Sequence, residues 1–177
     1  MDPLLLLLGA GLLLLRRKRA RVRLPAGAGE QVCYPLQVAG SAVDADGLEP
    51  AAMAFYHRVA CAWGQPLTMT SGRRSYVAQA DAMARKVSRG ENLRQLYRDR
   101  EQIDALLELP VGDWPGELRR WAEAGRPLSS HLGGRAFDLR SRDMTDGQLQ
   151  KLSALVGQLG GRAVVESDHI HVEIPRS

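Results

Sequence analysis

The sequence predicts an α+β fold, a small antiparallel sheet with helices packed on it. Three observations carry this reading. Apolar residues recur at helical spacing through the first part of the folded region, β-forming runs follow, and the last two such runs are joined closely enough to form a hairpin. The 177 residues suffice for one compact domain with a real core and little else.

The chain opens on an apolar run, residues 4–15, followed at once by Arg16, Arg17, Lys18, Arg19, Arg21 and Arg23. A secretory signal places its charges before the apolar run and a small-residue cleavage site after it, so the order here is reversed. Twelve helical residues span roughly 18 Å against a hydrocarbon core of about 30 Å. Snorkelling of Arg16 and Arg17 and local thinning can close part of that gap. Residues 1–23 are therefore a candidate membrane anchor or interfacial attachment, which makes the cell envelope the expected location. The positive-inside rule would put the flank after the run in the cytoplasm, at odds with an extracellular substrate, and the topology stays open.

Residues 24–49 contain Pro25, Gly27, Gly29, Gly40 and Gly47 and read as linker or irregular lead-in. The folded domain is expected over residues 50–177. A helix is predicted from Pro50 to Trp63, with Pro50 suited to the first helical position. Leu67 to Ser71 alternates and reads as a strand. Residues 75–88 are predicted helical, with Tyr76, Ala80, Met83 and Val87 on one face. Residues 91–108 are predicted helical again, through Leu93, Leu96, Ile103, Leu106 and Leu107. A stretch with Pro and Gly, Leu109 to Gly116, interrupts, and a short helix follows over Glu117–Glu123. Ala136 to Leu139 is the next strand. Thr145 and Gln148 form a capping box before a helix that Gly160 and Gly161 end. Arg162–Glu166 and Ile170–Ile174 read as the terminal hairpin.

The net charge of +4 is misleading. Without residues 1–29 the chain keeps 18 basic and 19 acidic residues, a net of −1. The basic character belongs to the tail, and aromatics make up only 5% of the chain, so no nucleic-acid surface is expected. Cys33 and Cys61 match no metal spacing; they can pair in an oxidising compartment or remain as buried thiols. His57 reads as structural. Trp63, Trp114 and Trp121 read as packing, and the charges of Arg98–Glu101 as a solvated helix face.

Three segments carry the chemistry: Thr70 to Ser75, Ser129 to Asp138, and Glu166 to His171. The second fits S-x-H-x-x-G-x-A-x-D throughout, and the third contains His-x-His. Imidazole and carboxylate donors suit zinc, and a hydrolytic zinc site keeps three protein ligands and one open position. Gly133 and Gly134 let the chain bend so that His131 and Asp138 can meet one ion. His169 and His171 lie two apart on a strand and face one side of it.

These segments resemble the zinc D-Ala-D-Ala peptidase family, which includes carboxypeptidases, dipeptidases and phage endolysins and shares its architecture with the hedgehog signalling domain. The resemblance covers roughly residues 50–175. It implies a zinc peptidase domain with Zn2+ held by His131, Asp138 and His171. It further implies that Asp168, three residues before the last ligand, is the general base, that His169 assists at the oxyanion, and that Arg74 faces the charge developing on the carbonyl oxygen. Ser129 is the implied substrate contact. Relatives commonly carry Glu where this chain has Asp168, and Glu166 stands two residues earlier, so Glu166 and His169 remain alternatives for the base. Arg73 replaces a common aromatic, so either arginine can serve. The implied substrate is a peptidoglycan stem peptide, by carboxypeptidase or endopeptidase action. A zinc-stabilised binding module without turnover, and a phage lysis or virion-associated hydrolase, are the rival readings.

Overall fold

The computed structural model describes residues 33–174. The candidate anchor at residues 1–23 lies outside the described residues. Among the described residues no helix is long and apolar enough to cross a membrane.

Over the described residues the architecture is α+β, with a five-stranded sheet and six α-helices. The sheet is mixed rather than purely antiparallel. Its first strand, β1 (Gln37–Val38), pairs parallel with β2 (Thr68–Ser71), and α1 (Pro50–Trp63) lies between them in sequence. A parallel pair needs a crossover, and α1 supplies it. Pro50 opens this helix and Gly64, at φ 68°, closes it. The strand β1 falls in the expected lead-in, which is otherwise irregular over its described part. Yet Ala45 and Leu48 are buried in the main core, and a disulfide joins Cys33 to Cys61 of α1. The folded unit therefore begins before residue 50.

Helix α2 (Tyr76–Ser88) is capped by Ser75, whose hydroxyl accepts from the Ala78 amide. Its buried face is Gln79, Ala80, Met83 and Lys86; Val87, expected inside, is exposed. The single helix expected over 91–108 is two, α3 (Leu93–Leu96) and α4 (Arg100–Leu107). Tyr97 between them is extended, and the Asp99 carboxylate accepts from the Gln102 amide at 3.0 Å to start α4 afresh. A side-chain cap of this kind competes with a continuous helical ladder. The break places Arg98 and Asp99 at the rim of the cleft described below, while Arg98, Arg100 and Glu101 are exposed as expected. Helix α5 (Trp114–Glu123) starts before the expected Glu117, because Pro115 in its first turn has no amide to leave unpaired.

The remaining elements are β3 (Ala136–Arg140), α6 (Asp146–Gln158), β4 (Arg162–Val165) and β5 (His169–Glu173). The capping box of Thr145 and Gln148 is present at α6. The sheet order is β1-β2-β3-β5-β4, and every pairing but the first is antiparallel. Alternation sorts the two faces. Phe137, Leu139, Ile170 and Val172 join α1 and α6 in the main core. The opposite face presents Asp138, His169, His171 and Glu173. A second apolar cluster, built from α2, α4 and α5 with Trp114, Trp121 and Leu132, stands beyond that face. A cleft runs between the two.

Candidate metal centre

The turn that carries His131 is set by backbone contacts that only glycine permits. Gly134 has φ +70°, and a Cβ there would come within 2.6 Å of the Gly47 carbonyl oxygen. At Gly72 an added Cβ would lie 2.1 Å from the Asp44 carbonyl oxygen. The segment Asp44–Glu49 thereby packs against both the end of β2 and the His131 turn. The Arg74 amide donates to the His131 carbonyl at 3.1 Å, and His131 Nδ1 donates to the Gly72 carbonyl at 2.6 Å. A carbonyl can only accept, so the proton sits on Nδ1 and leaves the Nε2 lone pair as the donor atom.

That nitrogen meets two further potential metal-ligand atoms. His131 Nε2 lies 3.2 Å from Asp138 Oδ1 and 3.1 Å from His171 Nδ1, and His171 Nδ1 lies 3.0 Å from Asp138 Oδ1. The register of β3 and β5, which pairs Asp138 with His171, brings the last two together. These three residues form a group that could hold one metal ion. Each donor is braced from behind. The Arg74 guanidinium forms an ion pair with Asp138 Oδ2, and Glu173 Oε2 lies 3.8 Å from His171 Nε2.

The electrostatics follow from this packing. Burial pushes the His131 imidazole below its ordinary pKa. Burial acts to raise the Asp138 carboxyl, but His131, His171 and Arg74 outweigh it and hold it well below the usual carboxylate range. Burial also acts to lower His171, yet its hydrogen bonds to Asp138 and Glu173 prevail and push it up to about 9. The bond from His171 holds Glu173 down at about 2, against burial.

A cleft of about 600 Å³ opens beside the three donors. Arg74 lines it, its Nε donating to Ser71 Oγ at 2.8 Å and its Nη1 to Gln79 Oε1 at 3.4 Å. Arg73 is exposed, so of the two arginines Arg74 belongs to the cleft. Ser129 is buried against it, with its hydroxyl donating to Gln79 Oε1 at 3.2 Å and accepting from the His131 amide at 3.3 Å. Its hydroxyl therefore braces the turn. His169 also lines the cleft, with Nε2 3.6 Å from Asp138 Oδ1 and 3.3 Å from Glu166 Oε2. Asp168 is not part of the cleft lining: its side chain is 63% exposed and accepts from His169 Nδ1 at 2.6 Å, behind the ring. Glu166 does line the cleft. Its carboxylate forms an ion pair with Lys86, and both side chains are only 10% exposed.

Lys86, Gln79, Tyr97 and Glu173 were not singled out from the sequence. A signal existed for three of them. Gln79 and Lys86 fall with Met83 at helical spacing on the inward face of α2, and Glu173 continues the two-residue alternation of His169 and His171. Tyr97 accepts from Gln79 Nε2 at 2.9 Å and became a cleft residue only through the break between α3 and α4. No protein-family model, no curated protein and no solved structure matches this chain.

Proposed function

We propose that the chain is a zinc-dependent peptidase of the cell envelope that cleaves peptidoglycan stem peptides. The observation that carries this reading is the triangle of donor atoms, with edges of 3.0, 3.1 and 3.2 Å. Tetrahedral zinc with ligands at 2.0–2.1 Å requires edges of about 3.3 Å. Two imidazole nitrogens and one carboxylate oxygen suit zinc, whereas calcium and magnesium take oxygen-rich shells. Three protein donors with a cleft beside them match the pattern of a hydrolytic site. Lewis acidity toward an amide carbonyl and toward water is what a zinc ion supplies there.

The protein's own groups account for the rest. Glu166, enclosed and facing the cleft, is the proton acceptor for the attacking water and returns the proton to the leaving amine. His169 stands between Glu166 and Asp138, and Asp168 orients its ring from outside. Arg74 secures Asp138 and keeps a positive charge at the wall where the carbonyl oxygen becomes negative. The substrate class and the hedgehog-like peptidase fold rest on the likeness of Ser129 to Asp138 and of Glu166 to His171 to the zinc D-Ala-D-Ala peptidases. Attachment through residues 1–23 belongs to the same proposal.

The test is digestion of purified muropeptides by the full chain, metal-stripped and then resupplied with zinc, with the products resolved by mass spectrometry. Zinc is expected to bind one to one and to restore cleavage, and His131→Ala to lose both. Stoichiometric zinc without cleavage of any stem peptide would instead make this a metal-stabilised binding module.

A further inference from the structure

The hydrolytic reading leaves one end of the cleft without a task. Where β5 ends, the guanidinium groups of Arg98, Arg135 and Arg162 line the cleft around a single carboxylate, Glu173. Glu173 Oε1 accepts from Arg98 Nη2 at 2.7 Å and from Arg162 Nη1 at 3.2 Å. Its Oε2 accepts from Ser130 Oγ at 2.9 Å and faces His171. Both oxygens are thus committed. Arg135 reaches the Ile174 carbonyl at 3.5 Å and has no carboxylate partner among the described residues. Elsewhere in the lining the charges match one to one: Arg74 with Asp138, Lys86 with Glu166, Arg126 with Asp99. Among the lysine, arginine, aspartate and glutamate side chains of the lining, the surplus of two positive charges therefore lies at this end.

We propose that the arginine end of the cleft is an anion subsite that holds a carboxylate of the bound peptide. The proposal rests on the reading of the cleft as a peptide site and adds to it the chemistry of the substrate. Planar guanidinium groups suit carboxylates, and a charged, partly enclosed groove concentrates the field that attracts them. Position along the substrate follows from the sheet. Glu173 lies two residues beyond His171 on β5, about 7 Å at the rise of a strand. An extended peptide advances about 3.3–3.6 Å per residue, so the carboxylate belongs about two residues from the bond that is cut. It is supplied either by an acidic side chain or by the peptide's own C-terminus.

Calorimetric binding separates this proposal from the hydrolase reading. The protein is the zinc-loaded full chain carrying Glu166→Gln, which keeps the probes intact. The probes are acetylated five-residue alanine peptides in matched pairs: Glu against Gln scanned along the chain, and C-terminal acid against amide. At one position the acid is expected to bind about tenfold more tightly than its neutral partner. The acid scan identifies a side-chain carboxylate and the terminal pair a C-terminal one. Arg135→Gln with Arg162→Gln is expected to remove most of that gap, and Arg119→Gln, an exposed change on α5, to leave it intact. Equal binding of acid and neutral partners throughout, absence of binding to any acidic probe, or a gap untouched by the two arginine changes would overturn the subsite. Turnover of muropeptides by the wild-type chain is read separately and decides only the hydrolase proposal.

Discussion

Replacing Glu166 with Gln is expected to abolish turnover while leaving zinc binding intact. Gln keeps the shape of the side chain and removes the proposed proton acceptor. A positioned general base contributes about 10²–10⁴ in rate, or about 2.7–5.5 kcal/mol of barrier. Asp168, at 63% exposure, touches His169 from the solvent side. An exposed pair contributes up to about 1 kcal/mol, so Asp168→Asn should cost less than about tenfold. Glu166→Gln has a second consequence, because the Lys86 side chain is 10% exposed and loses its counter-charge. Stranding an enclosed cation costs about 1–3 kcal/mol. With an unfolding entropy of about 0.3 kcal/mol/K for a domain of about 140 residues, that lowers Tm by about 3–10 °C. Adding Lys86→Met removes the stranded cation and should restore most of the Tm and none of the turnover. The assay is kcat/KM on a muropeptide beside zinc content and a melting curve for each variant. Loss of more than hundredfold in Asp168→Asn, with Glu166→Gln within tenfold of wild type, would refute the reasoning and make Asp168 the base.

Three further outcomes are expected. The Cys33–Cys61 disulfide closes a loop with a sequence separation of 28, for which chain entropy alone gives about 3.6 kcal/mol. Reduction, or Cys33→Ser with Cys61→Ser, should lower Tm by about 12 °C, and a shift below about 2 °C would contradict this. In the metal-free chain His171 is pushed up to about 9 from an unfolded value near 6.5. A raised folded-state pKa contributes stability that is fully present below about pH 6.5 and is lost as pH rises through about 9. The metal-free Tm should therefore fall across that window while zinc affinity, which needs the deprotonated ring, rises; a metal-free Tm that climbs from pH 6.5 to 9 would exclude it. Gly134→Ala combines φ +70° with a Cβ 2.6 Å from the Gly47 oxygen. It should cost about 2–4 kcal/mol and weaken zinc binding with it, which melting and metal titration will measure together.

Local chemistry determines a good part of this protein without reference to any long-range contact. Pro50, the Thr145–Gln148 capping box and the alternation of the last strand act within a few residues, and each appears where the sequence placed it. The candidate donors were legible for the same reason. Closely spaced polar residues with turn glycines between them constrain one another through the backbone, and His169 and His171 share a face because a strand repeats every two residues.

Other features required the whole chain. Strand β1 is two residues long and exists because α1 returns the chain beside it. Cys33 meets Cys61 through that same return. The helix expected over 91–108 breaks because the Asp99 cap and the packing of two short helices outweigh continuous periodicity. The choice between Glu166 and Asp168 shows the division most clearly. The Glu166 amide donates to the His169 carbonyl at 2.9 Å, which closes the hairpin and leaves Asp168 in the turn. A turn interrupts the two-residue period, so spacing along the chain could not say which carboxylate points inward. What holds Glu166 in the cleft is Lys86, eighty residues away on α2: an enclosed charge requires an opposite one, and only the tertiary fold brings that partner within reach.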